Sequence, residues 1–180
     1  MLFRSAFDGP GHGRSGHSFT NVYDFGDCLK TLIQQLGEVD VMLAHSFGVA
    51  ATLFMLGANQ NLSPEKIVCY SPMSHMKIHL SIFQTLSGST NATMRQIESK
   101  IQRRLGAFVP DWHVLGVPEK LPCKGIVFHD TSDPIVPFYW GIALAASWSN
   151  ANFVPTNKLG HNRILQDQAV IEKTVQFLRL

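Results

Sequence analysis

The 180-residue chain has no apolar run approaching the ~20 residues that would span a bilayer, and no charged-then-apolar leader stands at its start. A membrane span and an export signal are therefore not expected. Cysteine is scarce: Cys28, Cys69 and Cys123 are widely spaced and odd in number. They read as reduced, mostly buried thiols of a cytoplasmic protein. No His/Cys spacing resembles a metal-ligand set, so no metal and no other cofactor is expected. Charge of either sign is sparse, with a net value of +2. That is too little to draw the chain to nucleic acid or to a membrane surface. The cluster Lys100, Arg103, Arg104 reads as the solvated face of a helix. Internal repeats and low-complexity tracts are absent.

What is there is an interior. Hydrophobic residues make up 45% and charged residues 16% of the chain. That composition belongs to a globular protein, and residues 1–180 suffice for one domain with a sizeable core. Phe25, Cys28, Leu29, Leu32, Ile33 and Leu36 recur at helical spacing, with Asn21 or Asp24 as the cap. Val39, Val41, Met42, Leu43 and Ala44 form a short run suited to a parallel strand buried on both faces. Val49 to Leu56 follows as a buried helix. Further strands are expected at 66–70, 125–129 and 151–155, and a helix from Leu165 to the end. Such alternation predicts an α/β fold, a mostly parallel sheet flanked by helices. Residues 73–122 interrupt it with a Met- and His-rich start, a helix-like run from Met94 to Leu105, and an irregular stretch containing Trp112.

Chemistry enters at Ala44-His45-Ser46-Phe47-Gly48, between the apolar run and the buried helix. A Ser at a sharp strand-to-helix turn stands clear of the sheet, and small flanking residues such as Ala44 and Gly48 fit the tight bend. The hydroxyl still needs a base and an acid that orients it. His161, in Gly160-His161-Asn162, lies on a loop after the 151–155 strand. Asp133, pinned by Pro134 and Pro137, lies just beyond the 125–129 strand, with Asp130 as a rival acid. His17, His75, His79, His113 and His129 fall in no clear constellation.

The order Ser46, Asp133, His161, together with F-D-G-P-G-H-G-R-S-G (7–16), A-H-S-F-G (44–48), H-D-T-S-D-P-I-V-P (129–137) and G-H-N-R-I-L (160–165), resembles the α/β-hydrolase superfamily. The motifs run from about residue 7 to the C-terminus. The resemblance implies a serine hydrolase of esterase or lipase-like type. Ser46 would be the nucleophile, His161 the base, Asp133 the orienting acid and the Phe47 N–H an oxyanion donor. It implies a small-molecule acyl substrate, a structural role for His12, packing for His45, and a candidate lid at 73–122, for which extra core-packing helices are the alternative. The family's Gly three residues before the acid is Asp130 here, and a dehalogenase would want Asp in place of Ser46.

The resemblance also implies strands, a helix and a His-Gly loop ahead of the segment that here begins at Asp8. The expectation is an N-terminally truncated domain, with the second oxyanion donor unassigned. The strand at Leu2 to Phe7 would move beside Val39 to Ala44 or leave a gap of roughly 10 Å. The alternative function is a catalytically weak or inactive domain that binds a small apolar ligand or a partner.

Overall fold

A computed structural model describes residues 4–16, 20–105 and 113–179. Its centre is a four-stranded, wholly parallel sheet in the order β1 (Val41–His45), β2 (Lys66–Tyr70), β3 (Lys124–Asp130), β4 (Ala151–Thr156). The register aligns Leu43 with Val68, Val68 with Ile126, and Ile126 with Asn152. Each strand returns through helical segments, as parallel pairing requires.

Alternate side chains of the strands feed two cores. On one face Met42, Ala44, Ile67, Cys69 and Val127 pack with Val49, Leu53 and Leu56 of α2 (Phe47–Ala58), Ile33 of α1 (Val22–Leu36), and Leu144 of α5 (Tyr139–Ala146). On the other, Val68, Tyr70, Ile126 and Phe128 meet Ile164 and the α7 residues (Gln168–Arg179) Val170 and Phe177. Full burial of side chains such as Phe128, Ile67 and Leu53 is worth ~1.5–3 kcal/mol each. Trp148 lies over Gly125, where a Cβ would sit 2.7 Å from the indole, and its Nε1–H donates to the Cys123 carbonyl at 3.1 Å. Tyr70 and Thr174 share a hydroxyl hydrogen bond of 2.9 Å that ties β2 to α7.

The expected elements are present with several changes. Asn21 caps α1, its side chain accepting from the Tyr23 and Asp24 amides. The α1 stripe is buried at Val22, Gly26 and Ile33, whereas Leu36 at the helix end is 51% exposed. The strand β1 is buried on one face only, and Leu43 is 57% exposed. The reason is position: β1 ends the described sheet, and α7 reaches only as far as Val68 on that side. Residues 4–7 form no strand, and residues 2 and 3 lie outside the described residues. The C-terminal helix starts at Gln168 rather than Leu165, after the one-turn helix α6 (Gly160–Arg163).

The interruption at 73–122 holds α3 (Met76–Ser87) and α4 (Asn91–Leu105). Its ends are tied together by an antiparallel bridge between His75 and His113 and by the Val114 N–H donating to the Ser74 carbonyl at 3.0 Å. Trp112, like His17, lies outside the described residues.

Candidate active site

In a parallel sheet every strand delivers its following loop to the same edge, the carboxyl edge. Ser46 follows β1, Asp130 ends β3 with Asp133 just past it, and His161 follows β4. Residues 115 apart in sequence thus share one rim.

Ser46 has φ 52° and ψ −118°, a backbone region that non-glycine residues seldom occupy. Such a residue costs ~1–3 kcal/mol and persists only where its surroundings over-determine it. Here they do. The Ser46 N–H donates to the Tyr70 carbonyl at 2.9 Å, and its carbonyl accepts from Val49 at 3.1 Å and Met73 at 3.3 Å. Ala44 is buried in the core, in keeping with a small residue there. Gly48 differs from expectation, because a Cβ at this position would meet nothing within 4 Å. The elbow adjoins the end strand of the described sheet, so no neighbouring strand crowds that side. Phe47 opens α2, which places its N–H in the first turn, at the positive end of the helix dipole.

The Ser46 hydroxyl lies 2.9 Å from His161 Nε2, and His161 Nδ1 lies 2.8 Å from Asp133 Oδ2. A carboxylate only accepts, so Nδ1–H donates to Asp133 and Nε2 is left to accept from Ser46. The His161 side chain is 7% exposed and that of Asp133 is fully enclosed. His161 sits on the short helix α6 rather than on an open loop, and Gly160, at φ 65°, makes the turn into it. Asp133 Oδ1 accepts from the Ile135 and Val136 amides at 2.8 and 2.9 Å. Burial alone would raise the Asp133 pKa. The hydrogen bonds from His129, His161, Val136 and Ile135 outweigh burial and hold the carboxyl far below the ordinary carboxylate range.

Asp130, the rival acid, does other work. Its Oδ1 accepts from the Ser132 amide at 3.0 Å and from the Ser132 hydroxyl. Its Oδ2 accepts from Thr156 Oγ1 at 2.7 Å and the Leu159 N–H at 3.0 Å. This fully buried carboxylate anchors the segment that carries His161 without contacting the imidazole. Burial opposes its charge, but these hydrogen bonds and one from the Gly160 amide hold its pKa well below normal.

Both carboxyls thus bind protons more weakly folded than unfolded. Their stabilisation is complete above the unfolded carboxylate pKa of about 4 and is lost as pH falls below it. The melting temperature is expected to be level from neutral pH down to about pH 5 and then to fall steeply. Asp130→Asn should melt lower at neutral pH and show a shallower acid decline. A fluorimetric melting series in steps of about half a pH unit measures both slopes.

His45 does more than pack. Its Nε2–H donates to the His161 backbone carbonyl at 2.9 Å, and the two rings lie 4.7 Å apart. Burial lowers its pKa, outweighing the hydrogen bond to the His161 carbonyl that opposes the shift, and favours the uncharged ring. A neutral neighbour spares an imidazolium at His161 a second cation. A single sequence carries no signal for a bond across 116 positions. His12 is structural as expected: its Nδ1–H donates to the Pro10 carbonyl at 3.0 Å and its ring lies against Phe25 and Phe47. His129, assigned to no constellation from sequence, is fully buried behind Asp133.

Among the described residues, no cluster of His, Cys, Asp and Glu could hold a metal ion, and no helix is long and apolar enough to cross a membrane. All three cysteines are free thiols. Burial pushes Cys123 up to about 11 and Cys69 higher still.

No family model matches the chain, and no curated protein matches its sequence. Solved structures do match. An esterase from Exiguobacterium antarcticum superposes with a TM-score of 0.69 at 15% identity, over 96% of this chain and 80% of the other. A bromoperoxidase from Bacillus anthracis gives 0.67 at 16% identity, over 96% and 80%. The alpha/beta hydrolase domain-containing protein 10 from mouse gives 0.66 at 15%, over 96% and 74%. With its parallel sheet, flanking helices and site residues along the carboxyl edge, the chain has the α/β-hydrolase fold.

Proposed function

We propose that the chain is a serine hydrolase that cleaves a carboxylic ester or related acyl substrate through an acyl-enzyme. The observation that carries this reading is the continuous hydrogen-bond chain Ser46–His161–Asp133, 2.9 and 2.8 Å long, across three separate loops. The Ser46 Oγ attacks the substrate carbonyl carbon while its proton passes to His161 Nε2. Asp133 holds Nδ1–H and stabilises the imidazolium that forms. The Phe47 N–H donates to the developing oxyanion. Collapse of the tetrahedral intermediate expels the alcohol, which takes the proton from His161. The acyl group stays on Ser46 until water, deprotonated by the same imidazole, releases it as the acid.

The insertion at 73–122 is the proposed lid. Ile82 of α3 packs with Met73, Val136 and Trp140, next to the loop that carries Asp133. Phe83 and Leu86 of α3 remain 47% and 83% exposed. These apolar side chains suit an acyl chain and would help to exclude water.

The test is covalent. Treatment with a fluorophosphonate should place one label on the peptide containing Ser46. It should abolish turnover of a short-chain activated ester in proportion to labelling. A protein that neither labels nor turns over ester supports the alternative, a domain that binds a small apolar ligand or a partner.

A further inference from the structure

His129 occupies a position that core packing does not require. Its side chain is fully buried at the end of β3. Its Nε2 lies 3.0 Å from the Val136 carbonyl and 3.4 Å from Asp133 Oδ2. Both partners are acceptors, so the ring hydrogen is on Nε2 and is shared between them. Nδ1 is buried without a hydrogen-bond partner. A buried polar atom left unpaired is a standing cost, which an apolar side chain of similar size would avoid. The surroundings are shaped for the ring all the same. A Cβ on Gly141 would stand 2.4 Å from Nδ1, so only glycine admits α5 this close. Phe138 closes a further side, edge-on at 5.7 Å.

Hydrogen bonds and one longer contact, His129 Nε2 to Asp133 Oδ2 at 3.4 Å, form a closed circuit around Asp133. The Val136 N–H holds Oδ1, the Val136 carbonyl accepts from His129, and the same His129 N–H reaches Oδ2. His161 Nδ1 takes the remaining position on Oδ2. Without His129, Oδ2 would be secured only by the imidazole that it is meant to orient.

Resting on the serine-hydrolase reading above, we propose that His129 is a positioning residue. Its shared N–H fixes the plane of the Asp133 carboxylate so that Oδ2 faces His161, which extends the hydrogen-bond chain to Ser46–His161–Asp133–His129. The step it serves is orientation, and no proton leaves His129.

The experiment compares kcat and KM on a short-chain activated ester for wild type, His129→Leu, His129→Gln, Asp133→Asn and the double variant Asp133→Asn/His129→Leu. Glutamine places its Nε2 as many bonds from Cα as histidine does, so it can keep the donor. His129→Leu should lower kcat by about tenfold with KM within about twofold, the loss expected of one hydrogen bond to a charged group. His129→Gln should recover most of that loss. In the Asp133→Asn background, His129→Leu should cost less than about twofold more, because the carboxylate it serves is already gone. Melting curves establish that each variant is folded at the assay temperature, and if His129→Leu is not, His129→Phe, a ring without the donor, and its double with Asp133→Asn carry the comparison with the same expected losses. Equal kcat for His129→Leu and wild type, or losses that simply multiply in the double variant, would overturn the proposal. Retained turnover in Ser46→Ala would instead overturn the underlying hydrolase reading. A dead Ser46→Ala beside a fully active His129→Leu removes only the role of His129.

Discussion

Ser46→Ala is expected to lower ester turnover by ~10⁶, to background, and to abolish fluorophosphonate labelling while leaving the fold intact. The size follows from what is removed. Without Oγ there is no atom to form the acyl-enzyme, and His161 Nε2 has no hydroxyl to activate. The fold should persist because the strained backbone at φ 52° is held by main-chain bonds to Tyr70, Val49 and Met73, none of which uses the hydroxyl. Alanine suffers the same backbone strain as serine, so the melting temperature should move little. Ser71 is the control. It follows the adjacent strand, has φ 43° and is fully buried, so Ser71→Ala should keep turnover. Wild-type turnover in Ser46→Ala, or loss of labelling only in Ser71→Ala, would move the nucleophile elsewhere.

Asp133→Asn should cost ~10⁴ in turnover, far more than Asp130→Asn. Asparagine can still accept from the Ile135 and Val136 amides through its carbonyl. Its NH₂ then faces His161 Nδ1, which must accept instead of donate. The ring hydrogen moves to Nε2, where it blocks uptake of the Ser46 proton. The geometry survives with the wrong tautomer. Asp130→Asn acts at one remove, loosening the bonds to Thr156 and Leu159 that hold the His161 segment. Its main signature should be a lowered melting temperature, with a turnover loss of about tenfold or less well below the transition. Steady-state assays at low temperature separate the two effects. A larger kcat loss in Asp130→Asn would mean that the acid is misassigned.

Much of this molecule is legible along the chain. The β2 strand lies at Lys66–Tyr70 as its apolar run reads, and β1, β3 and β4 differ from their expected limits by one or two residues. Short apolar runs separated by helical periods dictate a parallel α/β sheet, because both faces must be covered. Local motifs also pick out Ser46, Asp133 and His161, since a strained elbow, a proline-pinned acid and a glycine turn are features of neighbouring residues. Other features depend on which elements end up side by side. The exposure of Leu43 follows from β1 being the end strand of the described sheet. The choice of Asp133 over Asp130 depends on a loop that turns one carboxylate toward His161 and the other toward Leu159. The bond from His45 to the His161 carbonyl joins residues 116 positions apart. The contacts of His129 depend on the Val136 carbonyl turning back and on α5 closing at Gly141. Sequence by itself determined the elements and the residue types that chemistry requires, because both are set by local periodicity and local backbone constraint. Only the tertiary structure decided that His45 and His129 join this cluster and that Asp130 turns to the His161 segment and not to its imidazole, because hydrogen bonding acts over about 3 Å and the chain meets itself at that range only after it folds.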